Sequence, residues 1–265
     1  MLSGSKSPTR SRLPHNQFRQ RFAATARIVA DAAVAVLLAP TCAACARCLD
    51  QPTAGPVCAG CWRALPLILP PLCDVCGDPL PSWRVLAPGP GECGRCRGGR
   101  GHVRHARAIG AYEGSLRSIV HALKYDGRRS LAPRLAALLA VSGADVLEGA
   151  DVCVPVPLHT ARQRARGFNQ AEDIARRLPV PMLRALKRRR RTPSQTDLPE
   201  AQRYENVRGA FALSRGVIVH GAVVIVVDDV STTGATLDAC ARALLDAGAR
   251  EVRALTVARV VSKRP

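Results

Sequence analysis

Aromatic residues are nearly absent from this chain: two tryptophans, three tyrosines and four phenylalanines, 3% of 265 residues. A surface that stacks nucleic-acid bases on rings needs more of them. Contact with a polyanion is therefore expected to be mostly ionic, with Trp62 and Trp83 the best-placed exceptions. Acids are also few, 20 against 39 lysines and arginines, for a formal charge of +19. Residues 1–30 carry Lys6, Arg10, Arg12, Arg19, Arg21 and Arg27 and no acid at all. That balance points to a polyanionic partner, whether nucleic acid, anionic lipid or a phosphorylated metabolite. Long apolar runs are missing too. The best, residues 28–39, could pass for a signal-peptide core behind a basic head, but Asp31 interrupts it and it is too short to span a bilayer. It reads instead as a short helix packed on the next module, behind a disordered basic tail of about 26 residues. Only four lysines occur (Lys6, Lys124, Lys187, Lys263), and none follows a glycine, which excludes a P-loop ATPase.

Cysteine is what the chain has in excess. Nine of eleven lie between positions 42 and 96, mostly as Cys-x-x-Cys pairs: Cys42/Cys45, Cys58/Cys61, Cys73/Cys76 and Cys93/Cys96, with Cys48 left over. Each pair presents two thiolates from one tight knuckle, and two knuckles complete a tetrahedral Zn²⁺ site. Sixteen residues separate the knuckles of the second quartet, a usual zinc-ribbon spacing, and twelve those of the first. Gly77, just after Cys76, and Gly94, just after Cys93, suit the turn that aims thiolates at one metal. Cys48 is an alternative to Cys42 or Cys45. A disulfide scaffold is the competing reading, but regular pairs beside a nucleotide-type α/β domain fit a reducing cytoplasm better. Two structural zincs are expected, with no open coordination position for catalysis. Cys153 and Cys240 read as ordinary buried residues.

Residues 224–236 read Val-Ile-Val-Val-Asp-Asp-Val-Ser-Thr-Thr-Gly-Ala-Thr. Four β-branched residues in a row make a strand buried on both faces, as inside a parallel sheet. It ends on Asp228 and Asp229, then a hydroxyl- and glycine-rich turn leads to a helix from Ala235. Open α/β sheets bind ligands at this carboxyl edge. Ser231, Thr232, Thr233 and Thr236 offer hydroxyls, Gly234 admits close backbone approach, and the first N–H groups of the helix, from Ala235 on, are unpaired, which makes a phosphate cradle. The adjacent acids suit a vicinal diol such as the 2- and 3-hydroxyls of ribose, or Mg²⁺.

From His105 the texture alternates between strands and helices: strands at 107–112, 151–155, 223–229 and 252–258, helices at 114–123, 131–141, 170–178 and 235–247. This alternation predicts a parallel sheet with crossover helices. The 157–170 segment reads as a loop at the edge of a second buried strand, with Arg162, Arg164 and Arg166 at alternate positions, and guanidinium groups there suit a diphosphate. The basic run Arg184 to Arg191 reads as a solvated loop. It leads into a long polar segment, about 187–211, of the length expected for a lid.

The 224–236 run resembles the phosphoribosyl pyrophosphate (PRPP) signature of type I phosphoribosyltransferases. With the cysteine ladder, His121-Ala-Leu-Lys-Tyr-Asp-Gly127, Val154-Pro-Val-Pro-Leu-His159, Arg166-Gly-Phe-Asn-Gln170, Arg191-Thr-Pro-Ser-Gln195, Arg203 and Asn206-Val207, the chain from about Pro40 to Arg259 is similar to the ComF (ComFC-like) competence proteins. Cys48 is extra, and Ser231 fills a variable position. The resemblance implies a short helix plus double zinc ribbon over 27–100 and a phosphoribosyltransferase-like parallel sheet flanked by helices over 101–265, with a role in uptake of transforming DNA or in nucleotide metabolism. It further implies PRPP with Mg²⁺ as ligand, Asp228 and Asp229 as the catalytic acid pair on the ribose diol, and residues 231–236 on the 5-phosphate. Arg162 and Arg166 are then expected on the diphosphate, and the loop bearing Arg191, Gln195 and Arg203 as a closing flap. A DNA-uptake factor that binds single-stranded DNA through its ribbon and basic segments, and a regulator that senses PRPP, remain as rival readings.

Overall fold

The computed structural model describes residues 15–80, 91–98, 101–190 and 207–261, with side chains described from residue 23 onward. The expected parallel sheet is present. Four strands, β1 (Ala106–Ala111), β2 (Val152–Pro155), β5 (Val223–Ser231) and β6 (Glu251–Arg259), lie in the order β1-β6-β5-β2, all parallel. β5 sits inside the sheet with Val223 to Val227 fully buried, as its β-branched run requires.

Strand alternation divides the core. Ile225 and Val227 pack with α3 (Gly114–Tyr125), α4 (Ala132–Ser142) and α7 (Gln170–Ala175). Val224 and Val226 pack on the other face with α8 (Ala235–Leu245) and a small antiparallel hairpin, β3 (Leu186–Arg188) with β4 (Phe211–Leu213). The same period of two sends the acids that end β5 to opposite faces, Asp229 toward α3 and Asp228 toward α8.

Three expectations need correction. Helix α1 (His15–Leu38) starts inside the stretch assigned to a disordered tail. Its anchor is Asp31, buried and accepting hydrogen bonds from the Thr53 N–H (2.8 Å) and hydroxyl (2.7 Å), which hold its carboxyl below the ordinary value. The 157–170 segment is not all loop: Thr160–Arg166 forms a short helix, α6, following α5 (Ala144–Leu147) in chain order. His159 caps it by accepting the Ala161 N–H (3.2 Å), and Gly167 ends it at φ +78°. The basic 184–191 run is not simply solvated, because Leu186 and Arg188 point inward from β3. Among the described residues no helix is long and apolar enough to cross a membrane.

The cysteine module, which includes α2 (Ala59–Arg63), lies along the free edge of β1. Leu67 forms an antiparallel bridge to Gly110, and the Ala111 N–H donates to the Pro66 carbonyl at 2.8 Å. An unpaired edge strand is thereby covered. Gly110 has to be glycine, since a Cβ there would come within 2.3 Å of the Pro66 oxygen. Gly77 (φ +71°) is equally constrained, with a Cβ falling 2.6 Å from the Ala106 oxygen.

Candidate functional site

The cysteines form two groups, Cys42/Cys45/Cys58/Cys61 and Cys73/Cys76/Cys93/Cys96, each with all four sulfurs within 4.8 Å of one another. Bonds of about 2.3 Å to a tetrahedral zinc place sulfurs about 3.8 Å apart. The observed pairs measure 3.8 Å (Cys42–Cys61), 3.9 Å (Cys45–Cys58) and 3.6 Å (Cys76–Cys93), too long for disulfides, and every cysteine is free. Backbone N–H groups of Cys58 and Cys93 donate to the sulfurs of Cys42 and Cys73 at 3.3 Å, which favours thiolates. The donor sets fit structural zinc. Cys48 is exposed and belongs to neither group; Cys153 and Cys240 are buried in β2 and α8.

At the carboxyl ends of β2 and β5 a cavity of about 680 Å³ opens. Asp228, Asp229, Thr232 and Thr236 line one side, and Arg162 and Arg166 another. Helical geometry explains that selection. Arg162 and Arg166 are four residues apart on α6 and share a face, whereas Arg164 lies about 160° away and is absent from the lining. Arg166 is held by the Gln170 side-chain oxygen (2.8 Å) and lies over the Tyr125 ring (5.2 Å). Asn169 caps α7 through the Ala171 N–H (3.0 Å) while donating to the Val156 carbonyl (3.0 Å). The Arg-Gly-Phe-Asn-Gln stretch is thus the brace that aims Arg166.

Two further cations line the cavity that sequence reasoning did not single out. Lys124 Nζ meets Asp229 Oδ1 at 2.7 Å. Burial pulls this ammonium down, but Asp229 and Asp228 outweigh it and hold it above its ordinary value. A signal was present: Lys124 falls four residues after the buried Val120, a charge placed on the apolar stripe of α3. Arg188 projects from β3 over the Phe211 ring (5.3 Å) and near Asp228. Burial, and then Arg162, push it below the ordinary range. Its signal was the in–out–in pattern of Leu186, Lys187 and Arg188.

Asp228 is strongly perturbed. Burial first, then the Asp229 carboxylate, push it up to about 7 against the pull of Lys124 and Arg188. Its Oδ1 accepts the Asp229 N–H at 2.8 Å. A carboxyl that changes charge near neutrality, among four cations, marks a site built to receive negative charge.

The six residues assigned to the phosphate cradle divide. Thr232 and Thr236 line the cavity; Ser231, Thr233 and Gly234 line the reverse side of the same turn. Ala235 is buried as the first residue of α8, after Gly234 at φ +85°. Arg191, Gln195 and Arg203 lie outside the described residues, as do Trp83 and most of the expected 187–211 flap, whose ends are the paired strands β3 and β4. Trp62 is no stacking platform, being buried beneath the Arg134 guanidinium at 4.3 Å.

Fold and cysteine centres together define a phosphoribosyltransferase-type sheet domain joined to a double zinc ribbon. Residues 164–265 match the phosphoribosyl transferase domain family, and residues 33–97 match the double zinc ribbon domain. The chain is 29% identical over 215 residues to Competence protein F of Haemophilus influenzae, covering 77% of this chain and 90% of that protein. It is 31% identical over 215 residues to DNA utilization protein YhgH of Salmonella typhimurium, covering 77% and 91%. Competence protein ComFC of Bacillus subtilis is 27% identical over 211 residues, covering 77% and 84%. The chain belongs to this ComF family of competence and DNA-utilization proteins.

Proposed function

We propose that the carboxyl-edge cavity binds PRPP with Mg²⁺ and that the domain transfers, or once transferred, a phosphoribosyl group with release of diphosphate. The observation that carries this reading is the convergence of the Asp228–Asp229 pair, the Thr232/Thr236 turn and the Arg162/Arg166 face on one cavity. The 5-phosphate fits the hydroxyls of the turn and the N-terminal end of α8. The ribose diol fits the two carboxylates, which both line the cavity at the end of β5. The diphosphate fits Arg162 and Arg166. Oxygen donors of the acid pair and of the ligand fit Mg²⁺, which supplies charge neutralisation at the departing diphosphate when bound. Lys124 orients Asp229 through their ion pair at 2.7 Å. Among the described residues no side chain lining the cavity is placed as a covalent nucleophile, so catalysis rests on positioning and charge stabilisation of an oxocarbenium-like transition state.

The test is calorimetric titration of zinc-loaded protein with PRPP and Mg²⁺, beside an Asp228→Asn/Asp229→Asn variant. Saturable binding that the double substitution abolishes is expected; no binding to a folded, zinc-replete protein sinks the reading. A second reading, single-stranded DNA binding in the cytoplasm during uptake, is favoured by the +19 charge and by relatives named for competence and DNA utilization. Its signature is affinity that falls steeply with salt.

A further inference from the structure

The turn after β5 has a second side. Away from the acid pair it closes another cavity, of about 600 Å³, between the second four-cysteine group and the start of α8. Val75, Val103, Ala106 and Leu237 give it an apolar floor. Arg95, Arg97 and Arg104 stand on its rim, all exposed to solvent. Ser231, Thr233 and Gly234 form its back wall. Ser231 is 4% exposed, and its Oγ has no hydrogen-bond partner. Native interiors pair such hydroxyls, so one left open in a cavity wall points to a missing ligand atom. Of the two acids present, Asp238 is already engaged by the His102 ring nitrogen at 3.1 Å, which leaves Glu92 as the open acceptor at the rim.

We propose that this junction cavity is a second ligand site, for one mononucleotide unit. Its volume suits such a ligand. An aromatic base gains from an apolar floor beneath guanidinium planes, which stack on bases. An exocyclic amino group finds Glu92, and the phosphate finds the rim arginines. The same unit occurs in a free nucleoside monophosphate and in single-stranded nucleic acid. The site stands whether or not the acid-pair cavity binds PRPP, but the two share the Ser231–Gly234 turn. Occupancy of one therefore biases the other, by the same factor in both directions.

The test uses the full zinc-loaded chain with two probes at one salt concentration, adenosine 5′-monophosphate and a deoxyadenosine octamer. Three variants are compared, each checked for zinc content and secondary structure. Arg97→Glu/Arg104→Glu reverses exposed rim charges, Val103→Trp fills the floor without changing charge, and Asp228→Asn/Asp229→Asn disables the other cavity. Both the rim and the floor variants are expected to weaken the monophosphate at least tenfold, while the acid-pair variant leaves it within twofold. Octamer binding without monophosphate binding, still cut by both junction variants, identifies single-stranded nucleic acid as the source of the unit. Three results overturn the site: neither probe binds; the acid-pair variant alone removes binding; or the rim reversal weakens binding while the filled floor does not, which is ionic adhesion to the surface.

Discussion

Asp228 pits binding against stability within one carboxyl. Its pKa is pushed up to about 7 in the folded chain, against 3.8 for a free side chain. Between pH 4 and 7 the folded state holds a proton that the unfolded state has released, so this group's contribution to stability is lost as pH rises through that window. Above pH 7 a buried charge remains. Asp228→Asn keeps the oxygen that accepts the Asp229 N–H and removes that charge. It is expected to melt higher than wild type at pH 8, by on the order of 2–4 °C, with the gap closing toward pH 5. Thermal scans across pH check this, and an Asn variant that melts lower at pH 8 contradicts it. PRPP affinity should run the other way, falling below pH 7 as Asp228 takes up its proton. The acid pair was legible because its strand announces itself. Lys124 and Arg188 were not, because each sits among residues whose ordinary reading, a helix end and a solvated basic run, is usually right.

At the scale of elements, α6 makes the sharpest claim. If Arg162 and Arg166 share the cavity face and Arg164 does not, alanine substitutions must divide the same way. Arg162→Ala and Arg166→Ala are each expected to weaken PRPP about ten- to a hundredfold, and Arg164→Ala by less than about twofold. Equal losses at all three positions, by titration calorimetry, would point to a bulk charge effect and against the helix face. β5 and α8 could be read in advance because a run of β-branched residues, an αL glycine and an amphipathic repeat agree locally. The α6 helix and the β3–β4 hairpin could not. A seven-residue helix rich in arginine has no apolar stripe to betray it, and three-residue strands are too short for alternation to stand out. Both owe their form to what they pack against. The extent of α1 was missed for the opposite reason: its polar, basic first half carries the composition of a tail.

For the whole molecule, the ribbon is part of the sheet's architecture. It covers the β1 edge, and the Cys73/Cys76 knuckle is tied to the far end of β6 by the Asp78–Arg259 ion pair, both partners largely buried. Arg259 is in turn the register partner of Ser231, and the Val260 N–H donates to the Ser231 carbonyl at 2.8 Å. Removing zinc with a strong chelator is therefore expected to lower the melting temperature of the sheet domain along with the ribbon, and to promote association through the bared edge. Light scattering and a thermal scan, with and without restored zinc, check both. A sheet domain that melts unchanged after chelation contradicts the coupling. Gly77→Ala tests the same contact without touching metal. Its Cβ would meet the Ala106 carbonyl in a left-handed backbone, a cost of about 1–3 kcal/mol expected in chemical denaturation.

The Asp78–Arg259–Ser231 connection also bears on how such a chain can change over generations. A ribbon exchanged as a cassette for another chain's would arrive without a partner for Arg259, stranding a guanidinium at the end of β6, beside the turn that follows β5. Metal module and sheet domain are bound to be inherited together, and substitutions on either side of that junction are tolerated only in matched pairs.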